Sequence, residues 1–281
     1  MSYNLIINNT NVANTLNNMY QYNFIKGSFE IPENAEIMVT SLQIPYSWYN
    51  ITTRYNNNSF KIYFPTGTST YTSYTVTIPD GFYTTTSLNA YIQQFCITNG
   101  LYLIDGGGNY VYYLSIQYNP TYYANQLIAK LVPTTLPAGY TAPANWPGYP
   151  TTSRTPYLEI LSTNTFGIYL GFSAGQYGIN QAVNYSVNSN LIPVGSTVNS
   201  IVIRCSLVNN NVSSQTDIID AFPINGTFGA NLNYSNSIEK WIKLSPGKYN
   251  NFIVTIVDQN LNDISILDNN ILINFIIRTK K

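Results

Sequence analysis

From about residue 20 onwards the chain is a succession of short runs rich in apolar, β-branched and aromatic residues, each ended by Asn, Gly or Pro. Turn signals at such short intervals point to an all-β protein, a sandwich or barrel. The last third carries the clearest pattern. Residues 199–207 place Ile201, Ile203, Cys205 and Leu207 on one face; residues 251–258 do the same with Phe252, Val254 and Ile256, and residues 271–278 with Ile271, Ile273, Phe275 and Ile277. Successive side chains of a strand point to opposite faces, so each set lines one side of a sheet. The opposite faces carry Ile253, Val257, Leu272 and Ile276, and strands apolar on both faces must be covered on both. One side is core. The other calls for a long loop or a neighbouring subunit, which makes these four residues interface candidates.

Further strands are expected at 24–31, 36–44, 60–64 and 74–78, with Pro32-Glu33-Asn34 and Asp80-Gly81 as turns. Within 36–44, Thr40 and Ser41 interrupt the alternation of Ile37, Val39 and Leu42, the mark of a bulge. One helix is expected over 87–98, where Leu88, Tyr91, Ile92, Phe95 and Cys96 fall on one face. Ser87 or a preceding Thr caps its start and Gly100 its end. A hairpin follows, turning at residues 105–109 and returning over 110–118. Residues 238–244 read as an amphipathic strand leading into a tight turn.

Residues 1–22 are Asn-rich and read as an arm ordered only when something holds it. Residues 23–281 then form one domain, because an all-β sandwich of this length is still within reach of a single core. Inside it, residues 133–156 contain Pro133, Pro137, Pro143, Pro147, Pro150 and Pro156, whose fixed φ angles and missing donors rule out a central strand. This is a long surface excursion. Its Tyr140, Trp146 and Tyr149 are either folded back onto the sandwich or offered to a partner, and loops usually bury their own large side chains.

Only 9% of the residues are charged, against about 25% in an average protein. Solubility must come from Asn, Ser, Thr and the hydroxyls of 26 Tyr, groups that can be buried against a partner without the desolvation cost of a charge. The formal net charge is zero, so no field draws the chain to nucleic acid or an anionic membrane. The basic cluster Arg278, Lys280 and Lys281 reads as a solvated tail. No apolar run is long enough for a membrane span, and the first residues lack the pattern of a secretory signal. Cys96 and Cys205 read as two reduced, buried thiols.

There is no His, which removes the commonest general base and metal ligand, and with them Ser-His and Cys-His pairs. Two distant Cys cannot make a zinc site, and the one Gly-Lys pair, Gly247-Lys248, is followed by Tyr249 and is no P-loop. Asp80, Asp105, Glu159, Asp217, Asp220 and Glu239 leave a glycosidase-type carboxylate pair formally open. Asp217, Asp220, Asp258, Asp263 and Asp268 lack EF-hand spacing. The expectation is a non-enzyme with no catalytic residue, no cofactor and no metal.

Residues 200–205 (SIVIRC), 217–219 (DII), Phe228-Gly229, 241–244 (WIKL) and 252–258 (FIVTIVD) resemble the single jelly-roll penton, or minor capsid, proteins of nucleocytoplasmic large DNA viruses and virophages. Residues 78–83 (IPDGFY) followed by 87–92 (SLNAYI) are similar to a turn, Gly-x-Tyr and Leu-Asn helix segment of the same proteins. These segments lie across roughly half the chain; the loop at 133–156 and the first residues have no counterpart. The resemblance implies a single jelly-roll β-sandwich with one short helix and long loops. It also implies a virion protein, five copies of which close an icosahedral vertex beside a double jelly-roll major capsid protein and other minor capsid proteins. The competing readings are a receptor- or glycan-binding β-sandwich, with Tyr140, Trp146 and Tyr149 stacking on a sugar, and a cement protein between capsomers.

Overall fold

The computed structural model describes residues 2–16, 18–67 and 70–280. In chain order the elements are β1 (Ser2–Asn8), β2 (Val12–Leu16), β3 (Met19–Asn23), β4 (Phe29–Ile31), β5 (Ala35–Pro45), β6 (Ser59–Pro65) and β7 (Tyr71–Thr77), then α1 (Thr85–Thr98). Next come β8 (Tyr102–Ile104), β9 (Tyr110–Tyr112), β10 (Leu114–Asn119), β11 (Ala124–Ala129) and β12 (Tyr157–Ile160), α2 (Phe166–Leu170), β13 (Gly175–Tyr177) and β14 (Tyr185–Asn188). The last strands are β15 (Ser200–Cys205), β16 (Ile218–Pro223), β17 (Asn231–Ser235), β18 (Ile242–Lys243), β19 (Gly247–Tyr249), β20 (Asn251–Asp258) and β21 (Leu272–Thr279). They form two compact units, one from residues 1–48 with 198–281 and one from the continuous segment 49–197.

The first unit is a jelly roll by its strand pairing. Its two larger sheets run β1-β21-β5-β17 and β16-β15-β20-β3-β2, with β18 also on β5 and a ribbon of β19 and β4. Taking β1, β3, β5, β15, β16, β17, β20 and β21 as strands one to eight, the antiparallel pairs are one with eight, two with seven, three with six and four with five. That is an eight-stranded hairpin wrapped into two sheets. Each sheet has one buried face, Leu5, Ile7, Ile37, Val39, Ile273, Phe275 and Ile277 on the first and Tyr20, Tyr22, Ile201, Ile203, Phe252, Val254 and Ile256 on the second. The expected alternation in 199–207, 251–258 and 271–278 is therefore the core pattern of β15, β20 and β21. The bulge also forms: Asn274 pairs with Ser41 and Phe275 with Val39, leaving Thr40 as the extra residue, its hydroxyl donating to the Asn274 carbonyl at 3.1 Å.

Residues 1–22, read as an arm ordered only when something holds it, are held by the other end of the chain: β1 lies on β21 from Ser2↔Arg278 to Asn8↔Leu272, and Leu5 and Ile7 are buried. A short apolar run among Asn suffices once a distant partner strand covers it. Beside the expectation of one domain over 23–281, contacts group residues 1–48 with 198–281 and residues 49–197 separately. Two expected strands are shorter than their pattern. Residues 24–31 are not one strand, because Gly27, with φ of 81°, closes a turn back to the Phe24 carbonyl and leaves only β4. Residues 238–244 contribute only the two-residue β18.

In the second unit, residues 49–197, the sheets run β13-β12-β6-β7 and β10-β11-β14, with a β8-β9 ribbon. Helix α1 begins where a Thr precedes the apolar stripe: the Thr84 hydroxyl accepts from Ser87 N while the Ser87 hydroxyl accepts from Thr84 N, a reciprocal capping box. It ends in a Schellman motif, with Gly100 N bonded to the Ile97 carbonyl and Leu101 N to that of Cys96. Leu88, Ile92 and Cys96 enter a core with Phe60, Phe64, Leu103, Leu127, Leu158 and Phe166. The hairpin at 105–109 is closed by Asp105, whose carboxylate accepts from Gly107 N at 2.9 Å and Asn109 N at 2.8 Å and is held below the usual carboxylate range mainly by Asn109. The returning strand splits at buried Tyr113 into β9 and β10, which join different sheets. The five-residue α2 is too short to leave a periodic signal; its Phe166 ring stacks on Phe60 at 4.8 Å.

Candidate interface surfaces and pocket

The four strand residues proposed as interface candidates separate into two kinds. Val257 is fully buried, because the chain after β20 folds back on it: Val257 bridges to Asp263, and Asn18 ties the Ile256 carbonyl to Asp263. A loop of its own unit covers it. Ile253, Leu272 and Ile276 are only half-buried. Leu272 and Ile276 lie on the outward side of the β1-β21-β5 sheet beside Asn8 and Asn4 of β1 and Gln43 and Met38 of β5, with half-exposed Ile6 next to Asn274. This surface is apolar side chains set among amides.

Its charges are neutralised in place. Arg278 is not in a frayed tail but within β21, where it forms a two-pronged pair with Glu36 at 2.9 and 3.0 Å, lies 3.6 Å from Glu239, and stacks over the Trp241 ring at 3.7 Å. Lys280 pairs with Glu36 at 3.7 Å. At the edge of the second sheet, Asp220 is buried and engages Lys240 at 3.0 Å, Tyr234 at 3.1 Å and Asn236 at 3.4 Å; its carboxylate holds the Lys240 ammonium above its usual range.

In the second unit, the loop aromatics fold back. Trp146 packs edge-on against Phe64 at 5.4 Å and beside Tyr113 and Tyr149, while Tyr140 is packed against the core. The loop is fastened by paired hydrogen bonds between Ile104 and Thr141, a bridge between Val132 and Arg154, and the Asn145 amide donating to the Thr98 carbonyl at α1's end. Trp146 Nε1 and Tyr149 OH are enclosed without a hydrogen-bond partner among the described residues. The three rings are thus half-buried wall residues, not a displayed platform.

The carboxylates weighed for chemistry are each tied into local structure. Asp80 accepts from Thr53, Glu159 from Tyr63, Asp217 pairs with Arg204, Glu239 accepts from Trp241, Asp258 closes the turn at Asn260 and Asn262, and Asp268 accepts from Asn270 N. Among the described residues no group of three or more His, Cys, Asp or Glu gathers as a metal site. Cys96 and Cys205 are both free and buried, and burial pushes each thiol up to about 12.

Sequence reasoning missed a concave site of about 280 Å3 in the 49–197 unit, lined by Phe82, Tyr83, Thr84, Thr85, Tyr118, Tyr123, Asn125, Tyr169, Pro193 and Gly195. Asn50 braces it, donating to the Tyr83 and Gly195 carbonyls at 2.7 Å each and accepting from Tyr83 N at 2.8 Å. Asn125 and Tyr169 are buried beneath, bonded to the Leu170 and Tyr83 carbonyls. The lining comes from four separate stretches of chain, so no local motif announces it.

No protein-family model matches the chain, and no curated protein matches it in sequence. Among solved structures, that of the mavirus penton protein overlays 99% of this chain and 99% of its own with a TM-score of 0.49 and 9% identity. A chain of the Sputnik virophage structure overlays 99% of this chain and 96% of its own with a TM-score of 0.37 and 12% identity.

Proposed function

We propose that the chain is a structural capsid protein, the penton that closes the five-fold vertex of an icosahedral DNA virus or virophage. Its partners are further copies of itself, the double jelly-roll major capsid protein around the vertex, and minor capsid proteins. Its place is the virion. The observation that carries this reading is the outward side of the jelly-roll sheets, where Ile253, Leu272 and Ile276 stay half-buried among neutral amides and the nearest charges are paired with each other. Such a surface loses little on being covered, since no unpaired charge has to be desolvated. Closure into a ring is heterologous, each copy presenting two different patches; a jelly roll with two sheets has two such sides. The carboxylates, each used in local structure, support a role without catalysis.

Native mass spectrometry of the recombinant protein tests the reading. A pentamer that grows with protein concentration and survives moderate salt is the expected result. A monomer at every concentration and salt would overturn it, and a trimer would move the assignment to a cement or spike role.

A further inference from the structure

Tyr123 is an outlier with no packing explanation. It sits in the β10-β11 hairpin with φ of 48°, in the left-handed region, while 63% exposed. Hairpins of this kind place Gly or Asn at that position, where a bulky residue costs about 1–2 kcal/mol. A tyrosine held there contributes little burial to offset the cost. What it does is line the 280 Å3 site, together with Pro193, Gly195 and Tyr118, which is 47% exposed and meets it edge to face at 6.4 Å.

We infer that this site binds a neutral carbohydrate, with Tyr118 and Tyr123 as its aromatic walls. No charged residue lines the site, which disfavours nucleotides, phosphates and carboxylates, since these call for cations or a metal. A pyranose ring is amphipathic in the matching way: its C–H face packs on an aromatic face, and its edge hydroxyls need neutral donors and acceptors. Those are at hand in the phenols of Tyr118 and Tyr123, neither of which has a hydrogen bond among the described residues, and in the spare lone pairs of the Thr85 hydroxyl, whose proton goes to Asn125 Oδ1. The volume, near the lower end of the roughly 300–1,000 Å3 span of small-molecule sites, suits one sugar unit and not an extended chain. The Asn50 brace and the capping box at Thr84 fix the walls beforehand, so little ordering opposes binding. The assignment moves sugar recognition from Tyr140, Trp146 and Tyr149, which are folded onto the core, to a cluster that local sequence does not reveal.

The inference is independent of the vertex reading, because it is measured on the recombinant chain whatever its oligomeric state. Saturation-transfer NMR against a panel of glucose, galactose, mannose, N-acetylglucosamine and lactose is the experiment. At least one sugar is expected to receive saturation from the parent protein. Tyr118→Ala and Tyr123→Gly each weaken its binding about tenfold, the worth of one well-placed aromatic contact, and Trp146→Ala leaves it unchanged. Tyr123→Gly is also expected to melt no lower than the parent, since glycine relieves the left-handed backbone. No transfer to any sugar, binding that persists in both Tyr variants, or a clear fall in the Tm of Tyr123→Gly would overturn the assignment, the last by showing that the ring is there for packing.

Discussion

In the jelly-roll unit most strands that pair are far apart in the chain, β1 with β21, β3 with β20, β5 with β17, and only β2-β3 and β15-β16 are neighbours. The 49–197 unit is built more from hairpins, β6 with β7, β8 with β9, β10 with β11, joined by the longer-range pairs β6-β12 and β11-β14. The means of fastening differ as well. The first uses long ladders with ion pairs at their margins, Arg278 with Glu36, Arg204 with Asp217 and Lys240 with Asp220. The second, beside the Lys61–Glu159 pair, leans more on amide side chains as staples on backbone groups, as Asn18 does once in the first: Asn50 on Tyr83 and Gly195, Asn57 on Thr52 and Asn50, Asn125 on Leu170, Asn145 on Thr98. A chain with so few charges can hold irregular loops in place because an amide offers donors and an acceptor at little desolvation cost. The jelly roll has the half-buried outer sheet residues and a wide polar cleft beside Arg204 and Asp217, and the stapled unit has the smaller, apolar pocket.

The comparison is broken most severely by emptying one core and watching the other. Phe252, buried against Tyr22 and Phe24, and Phe60, stacked on Phe166, are equivalent probes. Each Phe→Ala change is expected to cost its own unit about 3–5 kcal/mol. Calorimetry should show Phe252→Ala lowering the transition of the jelly roll and Phe60→Ala that of residues 49–197, each leaving the other transition in place.

A smaller effect measures how firmly the Pro-rich loop is docked. Gly100 and Gly27 both have left-handed φ, 71° and 81°, but a Cβ at Gly100 would come within 2.5 Å of the Asn145 carbonyl oxygen, whereas at Gly27 it meets nothing within 4 Å. Gly27→Ala should cost about 1 kcal/mol and Gly100→Ala about 2–3 kcal/mol, by chemical denaturation. Equal costs would mean that the loop yields. Smaller again is Asp220→Asn, which weakens the bonds to Lys240, Tyr234 and Asn236 and should cost the jelly roll about 1–2 kcal/mol.

The mildest probe treats both units alike. Each holds one buried thiol, with an unperturbed value of 9.0 raised in the fold to about 12, and buried tyrosines, Tyr20 in one and Tyr113 and Tyr169 in the other, raised by burial as well. A raised folded value favours the protonated form, so this stability is complete below pH 9 and is lost as pH rises from 9 towards 12 and beyond. Both transitions should decline together on alkaline titration, and neither thiol should react with a disulfide reagent in the native protein near neutrality.

Strict alternation is legible, and residues 251–258 coincide with β20. So are the helix and its Gly100 ending, because cap, stripe and stop signal agree. What escapes is whatever depends on distant chain. β1 has only the short run Leu5-Ile6-Ile7 to announce it, and its partner lies at the other end of the sequence. The division into two units escapes because strand signals continue through 49–197, even though Tyr and Pro gather there and charged residues thin out. The pocket escapes because Tyr123 occupies a turn position that local rules give to Gly. Val257 shows the limit of inferring a partner from an apolar outer face, since its own chain covers it.

On the proposed function, another copy of the chain covers Ile253, Leu272 and Ile276. Native mass spectrometry of Ile276→Lys beside the parent chain tests it most directly, with melting curves to show that both fold alike. The account predicts a ring for the parent and a folded monomer for the variant; an unchanged ring in the variant would place the interface elsewhere and contradict it.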